Sequence, residues 1–408
     1  MAPTPEFNVT LDQARAFWCA RQGLGTPKAN DPVESVAATG WARTIGGIDV
    51  YVNIGARSGV LNRSAVDDAV RSGGLRVIPA VRGCIYLVPE QDVGVVMALA
   101  ADLARPRMGR DFEKAGTSWK EVEEVGTEVL KALANGPLTT TAIRKALPEG
   151  TVRSLGDAGK KVGVSSPLPP ALRELEFRTE ITRMPIGGRL DTERYEWRLS
   201  ESATSDVPND PAARRTAVVK RFFDFFAPAA VNDVAAWIGI SKRDTKAAIS
   251  ALPLVCGRVE GYSDEAWIPE TDVDALKAVE TSSTAASFLP FEDNLMVVYG
   301  GPGRFAHPSR HDHTVRSWGR TKPTPLGTAK HLADRPLVLG HELAGFWEYD
   351  AENHEVVVGT FEKDAAQGLE EARQQLADFF RDDLGHARSF SLDSDDAVRE
   401  RAAALRAF

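Results

Sequence analysis

The spacing of apolar and polar positions near the start of the chain predicts helices followed by two short strands. Thr10 and Gln13 are spaced as a capping box, so a helix should begin after Thr10 and end before Gly23. Two further helices and two strands follow, and this is the element order of a winged helix. The predicted helices cover residues 32–43 and 63–72, and the predicted strands cover 75–78 and 85–88.

The same order of elements recurs twice along the chain. The second copy is predicted over residues 117–200, and the third follows a linker at 200–210 that is rich in Ser, Pro, Asp and Asn. Because a shift of 91 residues superimposes a turn proline and two apolar positions, the second helices of both copies should bury equivalent faces. The superimposed pairs are Pro137 with Pro228, Ile143 with Val234, and Leu147 with Ile238.

The pattern changes after residue 285. Apolar runs at 295–298, 337–339 and 356–358, separated by glycine turns, predict strands of a small β-barrel or curled sheet, and an amphipathic helix is predicted over 364–380. The last residues have the composition of a loose acidic tail with a short final helix. The predicted fold is α+β, with three tandem winged-helix domains and a small C-terminal β-barrel and helix. The predicted domains are 8–108, 117–200, 210–280 and 285–385, followed by a tail at 389–408.

Charge is distributed unevenly over the 408 residues. The net charge of the chain is −8, but residues 342–408 alone carry −9, so the rest of the chain is near +1. Residues 301–335 hold seven Lys and Arg against two Asp, a local net charge of +5. The chain as a whole is therefore no general polyanion binder, whereas this one segment has the charge to contact phosphates.

The cysteines and the N-terminus exclude several classes of protein. Three widely spaced cysteines without a C-x-x-C pair support neither a disulfide framework nor a thiolate zinc site. The sequence shows no apolar run long enough for a membrane span and no signal-peptide pattern at its start. We therefore expect a cytoplasmic protein without metal or organic cofactor, which acts as a monomer.

Tandem winged helices favour double-stranded nucleic acid as the partner, because such a helix fits a groove while wings and helix N-termini contact phosphates. Winged helices also serve as protein-docking modules, so this topology leaves both functions open. His307, His311 and His313 lie in the basic segment. Without nearby carboxylates or thiols, these histidines indicate a phosphate-contacting loop rather than a zinc site.

A turn with two adjacent glycines, Gly46 and Gly47, lies between two predicted helical stretches of the first copy. Such a pair lets the backbone approach a ligand closely, and Asp49 follows two residues later. Two interpretations are open: Asp49 caps the helix that runs towards Arg57, or its carboxylate is exposed on the turn for chemistry.

Four segments occur in a characteristic order along the chain. They are Gln22-Gly23-Leu24, Arg82-Gly83-Cys84-Ile85-Tyr86-Leu87, Phe288-Leu289-Pro290-Phe291-Glu292-Asp293-Asn294-Leu295, and Leu339-Gly340-His341-Glu342-Leu343-Ala344-Gly345-Phe346-Trp347. In this order they resemble the winged-helix DNA glycosylases of the AlkZ/YcaQ type, and the resemblance covers residues 11–361. That family excises N-alkylated purines and unhooks interstrand crosslinks.

The resemblance places the family's catalytic motif at Gly47, Ile48 and Asp49. The family pattern is Gln, an apolar residue, then Gln or Asp, so Asp49 occupies the second catalytic position and glycine replaces the first Gln. Cys84 and Tyr86 stand where relatives usually have Thr and His.

The resemblance implies a monofunctional DNA glycosylase acting on duplex DNA with alkylated or crosslinked bases. An N-alkylated purine is already a good leaving group, so one carboxylate at Asp49 suffices to stabilise the sugar cation and orient water. DNA contacts are expected from Arg82 and from the basic segment, through Arg304, Arg310, Arg316, Arg320 and Lys322. The alternative is a non-catalytic DNA-binding regulator or damage sensor on the same scaffold.

Overall fold

A computed structural model describes residues 6–201 and 207–408, so part of the predicted linker, 202–206, lies outside the described residues. The first unit combines helices with a three-stranded antiparallel sheet of order β2-β4-β3. The predicted capping box of Thr10 and Gln13 is confirmed. The elements are β1 (Phe7–Val9), α1 (Leu11–Arg21), α2 (Pro32–Thr39), β2 (Ala42–Arg43), α3 (Asp49–Ser58), α4 (Arg63–Arg71), β3 (Leu75–Pro79), β4 (Ile85–Pro89) and α5 (Glu90–Ala115).

The second unit repeats this organisation around a sheet of order β5-β7-β6. Ser118 and Thr139 accept hydrogen bonds from the third residue of the helix that each one caps, which fixes where these helices begin. The elements are α6 (Trp119–Leu133), β5 (Leu138–Thr139), α7 (Thr140–Ala146), α8 (Gly156–Lys161), α9 (Leu168–Phe177), β6 (Ile181–Pro185) and β7 (Tyr195–Leu199).

The third unit contains four helices and a hairpin, and β1 joins its sheet by pairing in parallel with β9. The N-terminal strand therefore ties the first unit to the third. The elements are α10 (Pro211–Phe226), β8 (Ala229–Ala230), α11 (Val231–Ile238), α12 (Lys242–Ser250), β9 (Leu254–Val259), β10 (Ala266–Pro269) and α13 (Val273–Lys277).

The C-terminal part is built on a four-stranded antiparallel sheet of order β11-β14-β15-β16. Helices at the end of the chain pack on β15 and β16. The elements are β11 (Ala286–Phe288), α14 (Asn294–Val298), β12 (Thr314–Val315), β13 (Thr324–Pro325), β14 (Arg335–Leu339), β15 (Glu342–Asp350), β16 (Glu355–Thr360), α15 (Glu370–Asp378), a π-helical turn (Phe379–Leu384) and α16 (Asp395–Arg406).

The predictions for this C-terminal part are confirmed only in part. The four strands form a curled half-barrel sheet, whereas a closed barrel is wrong because β11 and β16 do not pair with each other. Residues 295–298 form a helix instead of a strand, since Asp293 caps the backbone amide of Leu295. The tail is not loose: α16 buries Val398, Ala402 and Leu405.

The core divides into two clusters of buried apolar side chains. The larger cluster joins the first unit, the third unit and the C-terminal sheet, whereas the smaller one belongs mainly to the second unit. Ile143, Val234 and Ile238 are fully buried, and Leu147 is 8% exposed. The predicted burial of both superimposed pairs is therefore confirmed.

Stability of the third unit should depend on pH through Asp233, whose carboxylate accepts from the Ala230 amide at the start of α11. Burial raises the pKa of Asp233 to about 6 from an ordinary value of 3.8. The folded state then binds the proton more tightly than the unfolded state, so stability falls as pH rises from about 4 to about 6. Because Asn keeps the acceptor without the charge, Asp233→Asn should raise the unfolding free energy by about 1 kcal/mol at pH 7.

Thermal unfolding of the wild type and Asp233→Asn between pH 4 and pH 8 measures this effect. We expect the melting temperatures to converge near pH 4, where the folded wild type is protonated. A difference that stays constant over the whole range would contradict the assignment to Asp233.

No helix in residues 6–201 and 207–408 combines the length and apolarity needed to cross a membrane.

Candidate active site

The loop of residues 44–48 joins β2 to α3 and is closely packed by another part of the chain. Gly46 has a φ of +78°, which favours glycine. Gly47 has no such φ, but a Cβ added there would lie 2.1 Å from the carbonyl carbon of Ser389. Glycine at position 47 therefore gives space to a backbone segment near the C-terminus.

Asp49 is the first residue of α3 and its side chain is only 4% exposed. Oδ2 accepts a hydrogen bond from the Phe291 amide at 2.8 Å, and Oδ1 lies 2.7 Å from Nη2 and 2.9 Å from Nε of Arg335. Both sequence-based interpretations of its position are wrong: the carboxylate neither caps its own helix nor lies on the surface of the turn. Asp49 instead joins the loop to the C-terminal sheet.

Arg335 is shared by two buried carboxylates. Besides Asp49, its guanidinium contacts Glu348 on β15 and donates to the carbonyl oxygen of Ala387 at 2.8 Å. Glu348 in turn pairs with Arg401 of α16 at 2.7 Å, and Arg401 also binds Asp393. The network therefore connects the loop, the sheet and the last helix through charge-assisted hydrogen bonds.

Burial and ion pairing have opposite effects on the pKa values of the carboxyl groups in this network. Burial raises the pKa of the Asp49 carboxyl above its ordinary value, and Arg335 together with the Phe291 amide opposes that rise. Burial likewise raises the pKa of Glu348, with Arg335 and Arg401 opposing it. Two carboxylates and two guanidiniums thus compensate one another in a region shielded from water.

Residues 386–393, which we name the C-terminal strap, run across the loop. The Ile48 amide donates to the Arg388 carbonyl at 3.0 Å, and the Ser391 amide donates to the Ile45 carbonyl at 3.1 Å. At the start of the strap, His386 bonds Asp191 in the turn of the second unit at 3.0 Å. The strap therefore covers the loop with strand-like pairing and occupies the space beside Gly47.

Two cavities flank the covered loop. One, of about 290 Å³, is lined by Phe291, Trp318, Phe390 and neighbouring residues, and we name it the aromatic cavity. The other, of about 520 Å³, is lined by Gly46 and by residues of the second unit and the strap. Asp49 lines neither cavity, so its carboxylate does not meet solvent in this arrangement.

Three of the segments that carry the family resemblance contribute buried contacts next to the loop. Asp293 pairs with Arg57 at 2.9 Å and accepts from Asn53 at 3.1 Å, both on α3. Gln22 accepts from Arg57 as well, and the Tyr86 hydroxyl lies 3.4 Å from Asn294 Oδ1. These buried contacts fix α3, and hence Asp49, against the segment that holds Phe291. Asp293 also accepts a hydrogen bond from the Leu295 amide and so caps α14.

Most arginines of the basic segment already have partners within the chain. Arg304 donates to the Gly261 carbonyl at 2.8 Å, Arg310 pairs with Glu362 at 2.7 Å, and Arg316 pairs with Asp334 at 3.0 Å. By contrast, Arg320 and Lys322 are exposed and make no ion pair in the described ranges.

Arg82 is exposed on the turn between β3 and β4 and has a φ of +56°. It lies near Gly239, on the edge of a cavity between the first and second units that Arg107 and Arg173 also line. No residue of the basic segment lines this cavity.

The three histidines of the basic segment point to different partners. His307 bonds the Ser309 hydroxyl, His311 bonds the Gly303 carbonyl, and the His313 ring contacts Phe361 and Phe408. Among residues 6–201 and 207–408, no three His, Cys, Asp or Glu side chains are grouped so that they could hold a metal ion.

Sequence reasoning missed the groups that hold Asp49. Arg335 entered only the charge count, although an arginine at the head of the apolar run Pro336–Leu339 is a sign of a buried ion pair. In the sequence, the strap is indicated only by the pair Gly46 and Gly47. That pair shows that some group approaches the loop closely, but it does not identify the group. Phe390 belongs to the region that composition alone assigned to a loose tail.

Comparison with known proteins found a family match and a similar solved structure. The family model described as "DNA glycosylase AlkZ-like" matches residues 48–379. Among solved structures, the DNA glycosylase AlkZ of Streptomyces sahachiroi has a similar fold, with a TM-score of 0.70 and 17% sequence identity over 92% of this chain and 97% of that chain. No curated protein sequence matches.

The family match covers Asp49, Phe291 and Arg335, and it begins one residue after Gly47. It confirms the resemblance drawn from the four sequence segments. The chain belongs to the AlkZ-like DNA glycosylase family.

Proposed function

We propose that this protein hydrolyses the N-glycosidic bond of N-alkylated purines in duplex DNA, with Asp49 as the catalytic carboxylate. The family match over residues 48–379 is the observation that carries the proposal, because it includes Asp49 and the segments that fix it. We further propose that the three helix–hairpin units are winged helices that contact the DNA backbone.

A buried carboxylate suits this chemistry. The alkylated purine leaves without a general acid, and the transition state places positive charge on the sugar. Arg335 and the Phe291 amide hold the carboxylate in a fixed orientation, so Asp49 need not reorganise as the sugar charge develops. The oxygen lone pairs that these donors leave free are available to stabilise the cation and to orient water.

Substrate reaches Asp49 in this proposal only when the strap leaves the loop. Ser389 and Phe390 lie directly against Gly46 and Gly47, in the space that a sugar would need. DNA bound along the basic segment would compete with the strap for this surface. The closed arrangement is then the DNA-free state, and binding shifts the population towards an open one.

Base release tests the proposal directly. Full-length protein is incubated with duplexes that carry N7-methylguanine or N3-methyladenine, and heating in alkali then cuts the strand at each abasic site. We expect cutting of the alkylated duplexes and none of an unmodified duplex. Absence of release from both lesions, with protein that binds the same duplexes, would overturn the catalytic proposal.

A second function is favoured by two observations at the loop. The negative charge of Asp49 is compensated by the ion pair with Arg335, and position 47 has no side chain to supply the amide found in relatives. Both would suit a non-catalytic protein that binds damaged DNA as a sensor. Binding that discriminates between alkylated and unmodified duplexes, without base release, would support this alternative.

The contact with DNA phosphates should depend on Arg320 and Lys322. Neither side chain has to break an ion pair with a carboxylate in the described residues before it binds a phosphate. Each phosphate contact releases about one counterion, so the double variant Arg320→Ser/Lys322→Ser should lower the slope of log Kobs against log salt by about 2. Fluorescence anisotropy of a labelled duplex between 50 and 300 mM salt measures the slope.

The comparison variant is Arg310→Gln/Arg316→Gln, which removes the same number of cations from the same segment. Because Arg310 and Arg316 are paired with Glu362 and Asp334, this variant should change the slope less. Equal slopes for all three proteins would place the DNA contact elsewhere on the molecule.

A further inference from the structure

Three aromatic rings meet beside the covered loop, where the aromatic cavity opens to solvent. The Trp318 ring centroid lies 4.9 Å from that of Phe291 and 4.7 Å from that of Phe390, with the planes steeply inclined in both pairs. Phe291 and Phe390 are themselves 5.7 Å apart. Trp318 nevertheless remains 46% exposed, so part of its ring is free to contact a ligand.

The position of these rings connects the cavity to the candidate active site. The backbone amide of Phe291 donates to Asp49, and Phe390 belongs to the strap that covers Gly46. Phe291 and Trp318 lie outside the strap, so a group bound against their rings keeps these contacts when the strap leaves the loop, whereas Phe390 contributes only while the loop is covered. Leu392, 89% exposed, lines the same cavity and extends its apolar wall.

The charges around the cavity favour a cation. Arg316 and Arg401 line it, but each is paired with carboxylates, whereas Glu400 on α16 lines it without an ion-pair partner in the described part of the chain. Arg335, in the network behind the cavity, is likewise paired with Asp49 and Glu348, so Glu400 is the one unpaired charge among these groups of the described residues.

We propose that the aromatic cavity binds the positively charged purine ring of an N-alkylated base, with Trp318 as the main contact and Glu400 as the complementary charge. This inference rests on the proposed function and names how the substrate base is recognised. A cation is attracted to the face of an aromatic ring, most strongly to that of Trp. A neutral base gains stacking but not this electrostatic contribution.

The size and surroundings of the cavity agree with one base. Its volume of about 290 Å³ is at the small end of ligand pockets. Arg320 and Lys322 follow Trp318 in the chain and are exposed, so they are placed to hold the phosphates of a nucleotide whose base contacts the tryptophan. Direct readout of the charge would separate damaged from undamaged purines without a specific hydrogen bond.

Binding of free nucleosides tests the cavity without any bond cleavage. The full-length protein is titrated at pH 6 with 7-methylguanosine, which is cationic, and with neutral guanosine, and binding is followed by calorimetry. We expect 7-methylguanosine to bind about tenfold more tightly. Trp318→Leu and Glu400→Gln should each reduce this discrimination severalfold.

Trp119→Leu is the matched control, because Trp119 is also a partly exposed tryptophan in contact with a phenylalanine, Phe112, but lies in the second unit. It should leave the discrimination unchanged. Equal affinity for both nucleosides, no saturable binding of either, or an unaltered preference in Trp318→Leu would overturn the proposal.

The outcome is independent of catalysis. If the protein prefers 7-methylguanosine but releases no base from DNA, the proposal for the cavity stands and the proposed glycosylase function fails. If the protein releases base but shows no preference among nucleosides, only the proposal for the cavity fails.

Discussion

Asp49→Asn is expected to lower base excision by roughly 100-fold, because the substitution keeps the shape of the side chain and removes the charge that stabilises the sugar cation. DNA affinity should stay the same or rise slightly, since one negative charge is lost near the phosphates. Single-turnover excision of N7-methylguanine measures the first effect, and duplex anisotropy measures the second.

Because Asp49 is also a structural partner of Arg335, loss of folding must be separated from loss of chemistry. Glu174→Gln is a suitable control: Glu174 is a carboxylate with 4% exposure, paired with Arg105 and Arg178, in the second unit. Each substitution should remove a similar charge-assisted hydrogen bond and lower the free energy of unfolding by about 1.5 to 3 kcal/mol. Excision that falls equally in both would show that Asp49 acts only through stability.

Gly47→Ala is expected to destabilise the protein by about 3 kcal/mol, and Gly47→Gln by at least as much. The added Cβ would lie 2.1 Å from the carbonyl carbon and 2.2 Å from the oxygen of Ser389, so the backbone of the strap or of the loop must move. Restoring the Gln of relatives should therefore displace the strap before it can help catalysis. Thermal unfolding and limited proteolysis of the C-terminal residues detect the two consequences.

Gly126→Ala provides the comparison, since Gly126 lies within α6 and an added Cβ would meet Leu175 at 3.7 Å, an ordinary contact. This variant should be neutral or slightly stabilising, because alanine favours helix. An unaltered melting temperature in Gly47→Ala would mean that the strap does not lie against the loop in solution.

The local elements near the start of the chain could be predicted because their signals are local. The capping box of Thr10 and Gln13 fixes one helix start, and two short apolar runs at 75–78 and 85–88, separated by a turn, predict a hairpin. By contrast, residues 295–298 are all apolar and two of them are β-branched valines, a pattern that favours a strand. Their helix depends on a single cap by Asp293, whose own position is set by Arg57 from another unit.

The candidate site could be predicted in identity but not in arrangement. The order of four segments indicated the family and Asp49. The distance of 286 residues between Asp49 and Arg335 left no pattern that would join them. Composition also misjudged the tail, because its carboxylates look solvated in sequence, whereas Asp393 is buried against Arg401 in the fold.

The strap has a consequence for how the protein is made. Ile48 leaves the ribosome about 340 residues before Arg388, its hydrogen-bond partner. At synthesis rates of about 5 to 20 residues per second, the loop would wait roughly 17 to 70 seconds for its cover. During that interval the nascent chain would carry an uncovered loop, and for most of it Asp49 would also lack Arg335, which follows it by 286 residues. A message cut short before residue 386 would yield a protein that contains Arg335 and Glu348 but whose loop stays uncovered.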